Sequence, residues 1–203
     1  VAAQSSTAQI TINGRKAGEL SLVVPGLHNL LNALAAFAAG CTLQVNELKL
    51  IQGLSNFSGT KRRFELKGEV NGVKVIDDYG HHPTEIEVTL TAAKNLAGSG
   101  RVLTVFQPHR YSRTSAFTKE FARSLSLSDF VYLLEIYAAS EKPMEGVSSL
   151  LISKLMAPEK VKFEPSMLQV VADVARTAKS GDVIITLGAG DVSSLSAPIL
   201  DAL

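Results

Sequence analysis

The sequence predicts an α/β protein whose larger part is a doubly wound domain built on a mainly parallel sheet. From about residue 61 to residue 203, apolar runs of strand length alternate with helical patterns, as in successive βαβ units. Two of these runs, Val102–Phe106 and Val183–Leu187, are nearly continuous, which is typical of parallel strands buried on both faces. Polar clusters follow several of the runs, and ligands bind at the carboxyl ends of the strands in such sheets.

The chain begins with a predicted hairpin and helix. Residues 8–24 contain two alternating runs separated by Asn13-Gly14, a dipeptide that favours a two-residue hairpin turn. A helix is predicted from Leu27 to Gly40, because glycine commonly ends helices. The apolar stripe of this helix is predicted to consist of Leu30, Leu34 and Phe37.

The first fifty-odd residues do not make a complete domain by themselves. A second helix is predicted from Asn46 to Leu54, with Leu48 and Ile51 facing inward. A hairpin and two helices of this apolar content need a sheet to cover, and no run of parallel strands precedes them. We therefore expect residues 1–57 to be the C-terminal part of a larger domain, followed by a second domain over residues 58–203.

The second predicted domain opens with a hairpin and then alternates regularly between helix and strand. The hairpin covers residues 64–77 and turns at Asn71-Gly72, so that an antiparallel strand lies at the start of the sheet. The later elements are helix 83–96, strand 102–106, helix 115–125, strand 130–134, helix 147–156, strand 161–163, helix 167–179, strand 183–187 and helix 193–203.

Composition and charge exclude several classes of protein. The 20 basic and 19 acidic residues give a net charge of +1, so no footprint for nucleic acid or an anionic membrane surface stands out. No apolar run reaches the roughly 20 residues that a membrane span needs. The single cysteine, Cys41, fits a reducing compartment and a small buried apolar side chain. We expect a cytoplasmic protein.

The densest polar cluster follows the predicted strand Val73–Ile76. Residues 77–85 read Asp-Asp-Tyr-Gly-His-His-Pro-Thr-Glu, and the proline begins the next helix. Two acids, a phenol and two imidazoles in succession exceed what local helix capping requires, so a binding or catalytic site is favoured. The alternative is an acid-rich turn that only caps the helix.

A second polar cluster follows the strand that ends at Phe106. Arg110 and Arg113 lie three residues apart before a predicted helix that Thr114 could cap, and two guanidinium groups there suit a carboxylate or phosphate. Because we take this strand to neighbour the one that carries Asp78, both clusters are expected to face one cleft. The alternative is a set of structural ion pairs with two acids of the preceding helix, Glu85 and Glu87.

Three further motifs are weaker. Asn29 and Asn32 share a helix face beside His28, and amides can bind the edge of a base such as adenine, although they can also cap the helix. The basic run Lys61-Arg62-Arg63 can reach phosphate oxygens near a domain junction or can be a solvated charge run. The run Gly188-Ala189-Gly190 has only part of a phosphate-binding loop, so we interpret it as a tight strand-to-helix turn.

Taken together, these motifs resemble the Mur ligase family. They occur in the family's order and cover most of the chain, and the string from Asp77 to Glu85 is the most specific of them. The matching segments are Gly26–Ala33, Arg62–Glu65, Asp77–Glu85, Gln107–Thr114 and Gly188–Gly190.

The resemblance implies an ATP-dependent ligase of peptidoglycan precursor synthesis. Members have an N-terminal domain for the UDP-sugar, a central ATPase domain with a Gly-Lys-Thr phosphate loop, and a C-terminal Rossmann-like domain that binds the amino acid. This sequence resembles the end of the second domain and the whole of the third. The implied substrates are ATP, L-alanine and UDP-N-acetylmuramate, with Mg²⁺ ligands expected outside this chain and no metal site within it.

The resemblance also implies a role for individual residues. His28, Asn29 and Asn32 would lie against adenine, Asp78 would accept the ribose hydroxyls, and Arg63 would reach the phosphates. The amino-acid pocket would be lined by Tyr79, His81, Arg110 and Arg113, with His82 and His109 as second choices. The catalytic group would comprise Arg63, His81, Arg110 and Arg113.

Other functions are also compatible with the sequence. A related ligase that recycles cell-wall tripeptide has a similar pattern but usually carries another residue pair where this chain has Tyr79-Gly80. A nucleotide-binding module without catalysis and a pure interaction domain are the alternatives from other classes. Because the phosphate loop is absent from the sequence, we expect this chain by itself to have no ligase activity.

Overall fold

The computed structural model describes residues 5–24, 26–57 and 60–203, and for His28 it describes the backbone alone. The chain divides into two compact units, residues 1–60 and residues 61–203. The predicted boundary lies between residues 57 and 58. Among the described residues, no helix is both long and apolar enough to cross a membrane.

The first unit is a hairpin packed against two helices. Its elements are β1 (Ser6–Ile12), β2 (Arg15–Leu22), α1 (Leu27–Thr42) and α2 (Glu47–Ser55). The two strands are antiparallel and turn at Asn13-Gly14, so the predicted hairpin is confirmed. Its buried core consists of Ile10, Leu20, Leu22, Ala33 and Phe37.

Gly40 does not end α1, contrary to the prediction, because the helix continues to Thr42. A Cβ atom at Gly40 would lie 2.4 Å from Cδ2 of Leu50 in α2. Gly40 therefore permits the close approach of α1 and α2 instead of ending α1.

Two leucines predicted to face the core of this unit face outward. Leu34 is 49% exposed and Leu48 is 68% exposed. On α1 the inward side is set by Ala33, and one residue further along a helix the side chain has turned by roughly 100°. On α2, Leu50, Ile51 and Leu54 share the inward face, and Leu48 projects roughly a third of a turn away from it.

The second unit contains a six-stranded sheet, and its doubly wound α/β class is as predicted. The strands are β3 (Glu65–Val70), β4 (Val73–Asp78), β5 (Val102–Phe106), β6 (Phe130–Leu133), β7 (Val161–Phe163) and β8 (Val183–Leu187). The order of the strands in the sheet is β3-β4-β8-β5-β6-β7; β3 pairs antiparallel with β4, and the other neighbours are parallel.

Helices cover both faces of this sheet. They are α3 (Pro83–Ala97), α4 (Tyr111–Ala116), α5 (Thr118–Leu125), α6 (Leu150–Ser153), α7 (Met167–Thr177) and α8 (Ser196–Ala202). One apolar cluster joins alternate strand residues such as Ile76 and Phe106 to α3, α5 and α6. A second joins Val75 and Val105 to α7 and α8. Side chains on alternate sides of each strand thus supply two separate cores.

Three predicted helices of this unit have different limits in the structure. The helix predicted at residues 115–125 begins earlier, at Tyr111, and breaks at Phe117 into α4 and α5. The segment 147–156 is helical only in α6, because its later amides bond three residues back in turns. The segment 193–203 begins as a 3₁₀ turn, and the α-helix starts at Ser196, where Pro198 falls in the first turn that tolerates it.

The predicted adjacency of β4 and β5 is wrong, since β8 lies between them and pairs with both. The loop that follows β8 therefore separates the two polar clusters. The amide of Gly188 donates to the carbonyl of Asp78 at 3.1 Å, and the amide of Gln107 donates to that of Leu187 at 3.0 Å. These bonds hold three strand ends together at one edge.

Candidate functional site

Four aromatic and imidazole rings form a continuous row at the carboxyl edge of this sheet. Tyr79 meets His81 edge-on with ring centroids 5.3 Å apart, and His81 lies 5.7 Å from His109. His109 in turn stacks on Tyr137, at 5.8 Å and an interplanar angle of 12°. Loops after β4, β5 and β6 thus converge as the strand-end rule predicts, although their strands are not all neighbours.

Asp78 is 5% exposed, and both of its oxygens already accept backbone hydrogen bonds. Oδ2 accepts from the amide of Phe64 at 2.8 Å, and Oδ1 accepts from that of Gly80 at 2.7 Å. Burial raises the pKa of Asp78, while these hydrogen bonds oppose the rise. Any contact with a ribose hydroxyl would use the lone pairs that remain at its exposed edge.

His109 is held as a neutral imidazole next to Arg113. Partial burial first, and then the positive charge of Arg113, lowers the pKa of His109. Its Nδ1 lies 3.1 Å from Nη1 of Arg113, and a guanidinium can only donate, so Nδ1 accepts and the proton is on Nε2. The contact fixes the direction of the Arg113 side chain.

Arg110 sits at the start of α4 in a left-handed conformation with φ 75°. Its amide donates to the carbonyl of Tyr137 at 2.8 Å, and its carbonyl accepts the hydroxyl of Thr114. Thr114 is therefore a buried residue inside α4, and its predicted role as a helix cap is wrong. The side chain of Arg110 is exposed at the edge where the ring row lies.

The acids Glu85 and Glu87 have other partners among the described residues. Glu85 accepts from the amides of His81 and His82 and lies 3.9 Å from Arg63, while Glu87 lies 3.7 Å from Arg123. The alternative of structural ion pairs from Arg110 and Arg113 to these acids is thus not supported.

His82 and Arg63 differ in how many contacts their side chains make within the protein. His82 caps α3 by accepting the amide of Thr84 at its Nδ1, and its ring packs edge-on against Phe117. His82 therefore has a structural role whether or not it also touches a ligand. The Arg63 side chain is 58% exposed, with one long ion pair to Glu85.

Arg62 is an organising residue that was not among the predicted site residues. Its Nε donates to buried Asp77 at 3.2 Å, and its Nη2 donates to the carbonyls of Gly188 and Gly190 at 2.6 and 3.2 Å. Its guanidinium carbon lies 4.8 Å from the centroid of the Tyr79 ring. It links three loops, and no periodicity in the sequence distinguishes it from Arg63.

The segment after β6 is the other part that was missed. Tyr137 stacks in the ring row, and the carboxylate of Glu141 accepts the amide and hydroxyl of Ser112 at 3.0 and 2.5 Å. The signal was present, because Tyr137 and Glu141 follow a predicted strand end in the same way as the two clusters that were singled out.

The Gly188–Gly190 loop is a tight strand-to-helix turn, as interpreted from the sequence. Gly188 has φ 139°, and a Cβ there would lie 2.5 Å from the carbonyl oxygen of Gln107. Gln107 further donates to Asp191 at 2.7 Å and accepts from the amide of Val192 at 3.1 Å. The loop thus serves close packing of the strand ends.

In the first unit, the predicted adenine-binding residues lie on α1. Asn32 is exposed and Asn29 is half-buried, while the His28 side chain lies outside the described residues. Within the part of the chain that is described, no group of three His, Cys, Asp or Glu side chains could hold a metal ion.

Comparisons with known proteins agree with this geometry. The model of a family described as Mur ligase, glutamate ligase domain, matches residues 62–190. A UDP-N-acetylmuramate–L-alanine ligase of Kineococcus radiotolerans is 43% identical over 98% of this chain, and one of Renibacterium salmoninarum is 49% identical over 91%. The crystal structure of UDP-N-acetylmuramate–alanine ligase from Thermotoga maritima covers 98% of this chain with 28% identity and a TM-score of 0.77.

The matched region is part of longer proteins. The chain spans 43% and 39% of the lengths of the two relatives and 43% of the Thermotoga maritima chain. The family model covers well over half of the present chain and includes the row of rings, both arginines and the glycine loop. The chain therefore belongs to the Mur ligase family.

Proposed function

We propose that this chain is the amino-acid-binding portion of an ATP-dependent ligase that joins L-alanine to UDP-N-acetylmuramate in peptidoglycan precursor synthesis. The observation that carries the proposal is the approach of His81 to His109, at 5.7 Å, which brings the two motif loops to one edge. The substrates are taken from the names of the relatives. The chain matches less than half of the length of each relative, which supports its being a portion of the ligase.

Arg113 and Arg110 suit the carboxylate of the amino acid. Guanidinium groups bind carboxylates through paired hydrogen bonds, and Arg113 is pre-oriented by its contact with Nδ1 of His109. The row of rings from Tyr79 to Tyr137 would form one wall of the pocket, next to the small side chain of the amino acid. Neutral His109 adds no positive charge next to the incoming ammonium group.

His81 is the better candidate to accept a proton from that ammonium. Its Nδ1 lies 3.1 Å from the carbonyl oxygen of Tyr79, which can only accept, so Nδ1 carries the hydrogen and Nε2 of the neutral ring has a free lone pair. In His109 the arrangement is reversed, because Nδ1 already accepts from Arg113. The sequence alone did not separate the two imidazoles.

The proposed reaction has two steps. ATP transfers its γ-phosphoryl group to a carboxylate oxygen of UDP-N-acetylmuramate, and ADP leaves. The deprotonated amine of L-alanine then attacks the acyl carbon, an amide bond forms, and the C–O bond to phosphate breaks. The residues of this chain contribute by positioning the amine and by neutralising the charge of its carboxylate.

Nucleotide binding is a separate part of the proposal. Asn29, Asn32 and His28 would contact adenine, Asp78 the ribose and Arg63 the phosphates. Exposure of the Arg63 side chain and of Asn32 supports these roles, whereas the two backbone bonds of Asp78 limit its role to the edge of the carboxylate. Mg²⁺ would be held by residues outside this chain.

The proposal is tested in the longer protein that contains this chain. Phosphate release that depends on both L-alanine and UDP-N-acetylmuramate is expected, and its absence would refute the function. Arg113→Ala should raise KM for L-alanine about 10- to 100-fold, because a charged hydrogen bond is lost, while KM for ATP stays unchanged. Arg123→Ala, at an 82% exposed arginine, is the matched control. An equal loss for both substrates would contradict the assignment of Arg113.

A further inference from the structure

The segment from Tyr137 to Glu141 is fastened to the start of α4 at three points. The amide of Tyr137 donates to the carbonyl of Pro108, and the amide of Arg110 donates to that of Tyr137, both at 2.8 Å. Beyond them, Glu141 accepts two hydrogen bonds from Ser112.

Glu141 supplies a cap that α4 does not have within its own sequence. The residue at the N-cap position is Arg110, which makes no side-chain cap bond. The free amide of Ser112 is satisfied instead by a carboxylate that comes from another loop. Arg110 is the N-cap residue of α4 and Arg113 lies in its first turn, so this carboxylate fixes the turn that carries both arginines.

The backbone of the segment is shaped for this contact. Ala139 and Ser140 have φ values of 47° and 75°, which are unfavourable for residues with a side chain. Their turn, closed by the amide of Glu141 donating to Ala138, brings the carboxylate back toward α4. At the other end, Glu135 accepts from the amide and hydroxyl of Ser149, so the segment is anchored on both sides.

From this geometry we infer that Glu141 is a positioning residue for the amino-acid carboxylate: its two bonds to Ser112 fix the first turn of α4 so that Arg110 and Arg113 face the row of rings. The inference rests on the proposed function, because it concerns the same carboxylate-binding arginines. According to this inference, Glu141 positions α4 through its hydrogen bonds and not through its negative charge.

Two substitutions separate geometry from charge. In Glu141→Gln, the amide oxygen can accept from the Ser112 amide while the amide nitrogen donates to its hydroxyl, so both bonds persist without the charge. In Glu141→Ala, both are lost. We expect Glu141→Ala to raise KM for L-alanine about tenfold in the longer protein, since a helix cap is removed, with KM for ATP unchanged. Glu141→Gln should stay within about twofold of wild type.

Controls make each outcome decisive. Glu145→Ala changes an exposed acid of the same loop and should leave both KM values unchanged. Thermal unfolding of each variant checks that it folds, and if Glu141→Ala unfolds, Ser112→Ala, which removes one of the two bonds, takes its place with a smaller rise. A lower KM in both Glu141 variants would show that the carboxylate competes with substrate, and an unchanged KM would show no positioning role; either result overturns the inference. If wild type makes no L-alanine-dependent product, the proposed function fails first.

Discussion

Two adjacent arginines, Arg62 and Arg63, make different contacts at the edge of the sheet. Arg62 bonds inward to Asp77 and to two carbonyls of the glycine loop, whereas Arg63 projects into solvent. The left-handed φ of 59° at Arg62 turns successive side chains in different directions. The sequence shows a basic run, but it does not show which arginine bonds inward and which is exposed. That difference depends on the backbone conformation at Arg62, which composition does not encode.

The imidazole of His109 makes stability depend on pH. Its folded pKa is lowered from 6.5, by burial first and by Arg113 second, so the unfolded chain takes up its proton at a higher pH than the folded chain. The stabilising contribution is complete above pH 6.5 and is lost as pH falls from there through the folded pKa. The charged or titratable groups that face this ring are Arg113, Arg110, His81 and Glu141.

His109→Gln should remove this part of the pH dependence while keeping an acceptor for Arg113. The measurement is the unfolding midpoint of wild type and variant in urea between pH 7.5 and pH 5. We expect the wild type to lose more stability than the variant over the acid half of that range. Parallel curves for the two proteins would mean that His109 titrates as an ordinary exposed histidine.

The existence of most elements could be predicted, but their limits and neighbours could not. Buried strands such as β5 and β8 carry continuous apolar runs, so their bounds are as predicted. Helix α4 begins four residues earlier than predicted because Glu141, which is distant in sequence, satisfies one of its free amides. Strand order depends on pairing between segments that are distant in the sequence, and no local pattern placed β8 between β4 and β5.

The turn after β8 gives a test at the level of elements. Gly188→Ala combines a φ of 139° with a Cβ that would lie 2.5 Å from the Gln107 carbonyl oxygen, so the β5 and β8 ends must separate. We expect it to lower the free energy of unfolding by about 3 kcal/mol or more. Gly146→Ala is the matched control, since its φ is 76° but no atom lies within 4 Å of the added Cβ, and it should cost only about 1 kcal/mol. Equal losses in urea unfolding would show that the close strand contact is unimportant.

At the scale of the whole molecule, the proposed amino-acid site and the predicted adenine residues belong to different units. The row of rings, both arginines and Glu141 all lie within residues 61–203, whereas Asn29 and Asn32 lie within residues 1–60. The sequence indicated this division through a change from an incomplete apolar segment to a regular βαβ pattern. The proposed contacts with ribose and phosphates, Asp78 and Arg63, lie in the same unit as the arginines proposed to bind the amino-acid carboxylate, so only the proposed adenine contacts lie in the other unit.

The two units also differ in the size of their cores, and this difference predicts how each behaves alone. Residues 61–203 have apolar clusters on both faces of a six-stranded sheet, while the described part of residues 1–60 has a single cluster with five buried residues. A chain of about 60 residues buries too small a fraction of its surface to be more than marginally stable. Several leucines of residues 1–60 are exposed as well, among them Leu31, Leu34 and Leu48.

Residues 61–203 produced alone should therefore fold and unfold cooperatively in urea, and residues 1–60 produced alone should not. Circular dichroism at 222 nm measures both, with Leu90→Ala in the larger piece as a check that the transition reports its core. That leucine is fully buried, and its truncation should lower the free energy of unfolding by about 2–5 kcal/mol. A cooperative transition in residues 1–60, or none in residues 61–203, would contradict the view that the edge with the proposed carboxylate-binding arginines belongs to a self-sufficient fold.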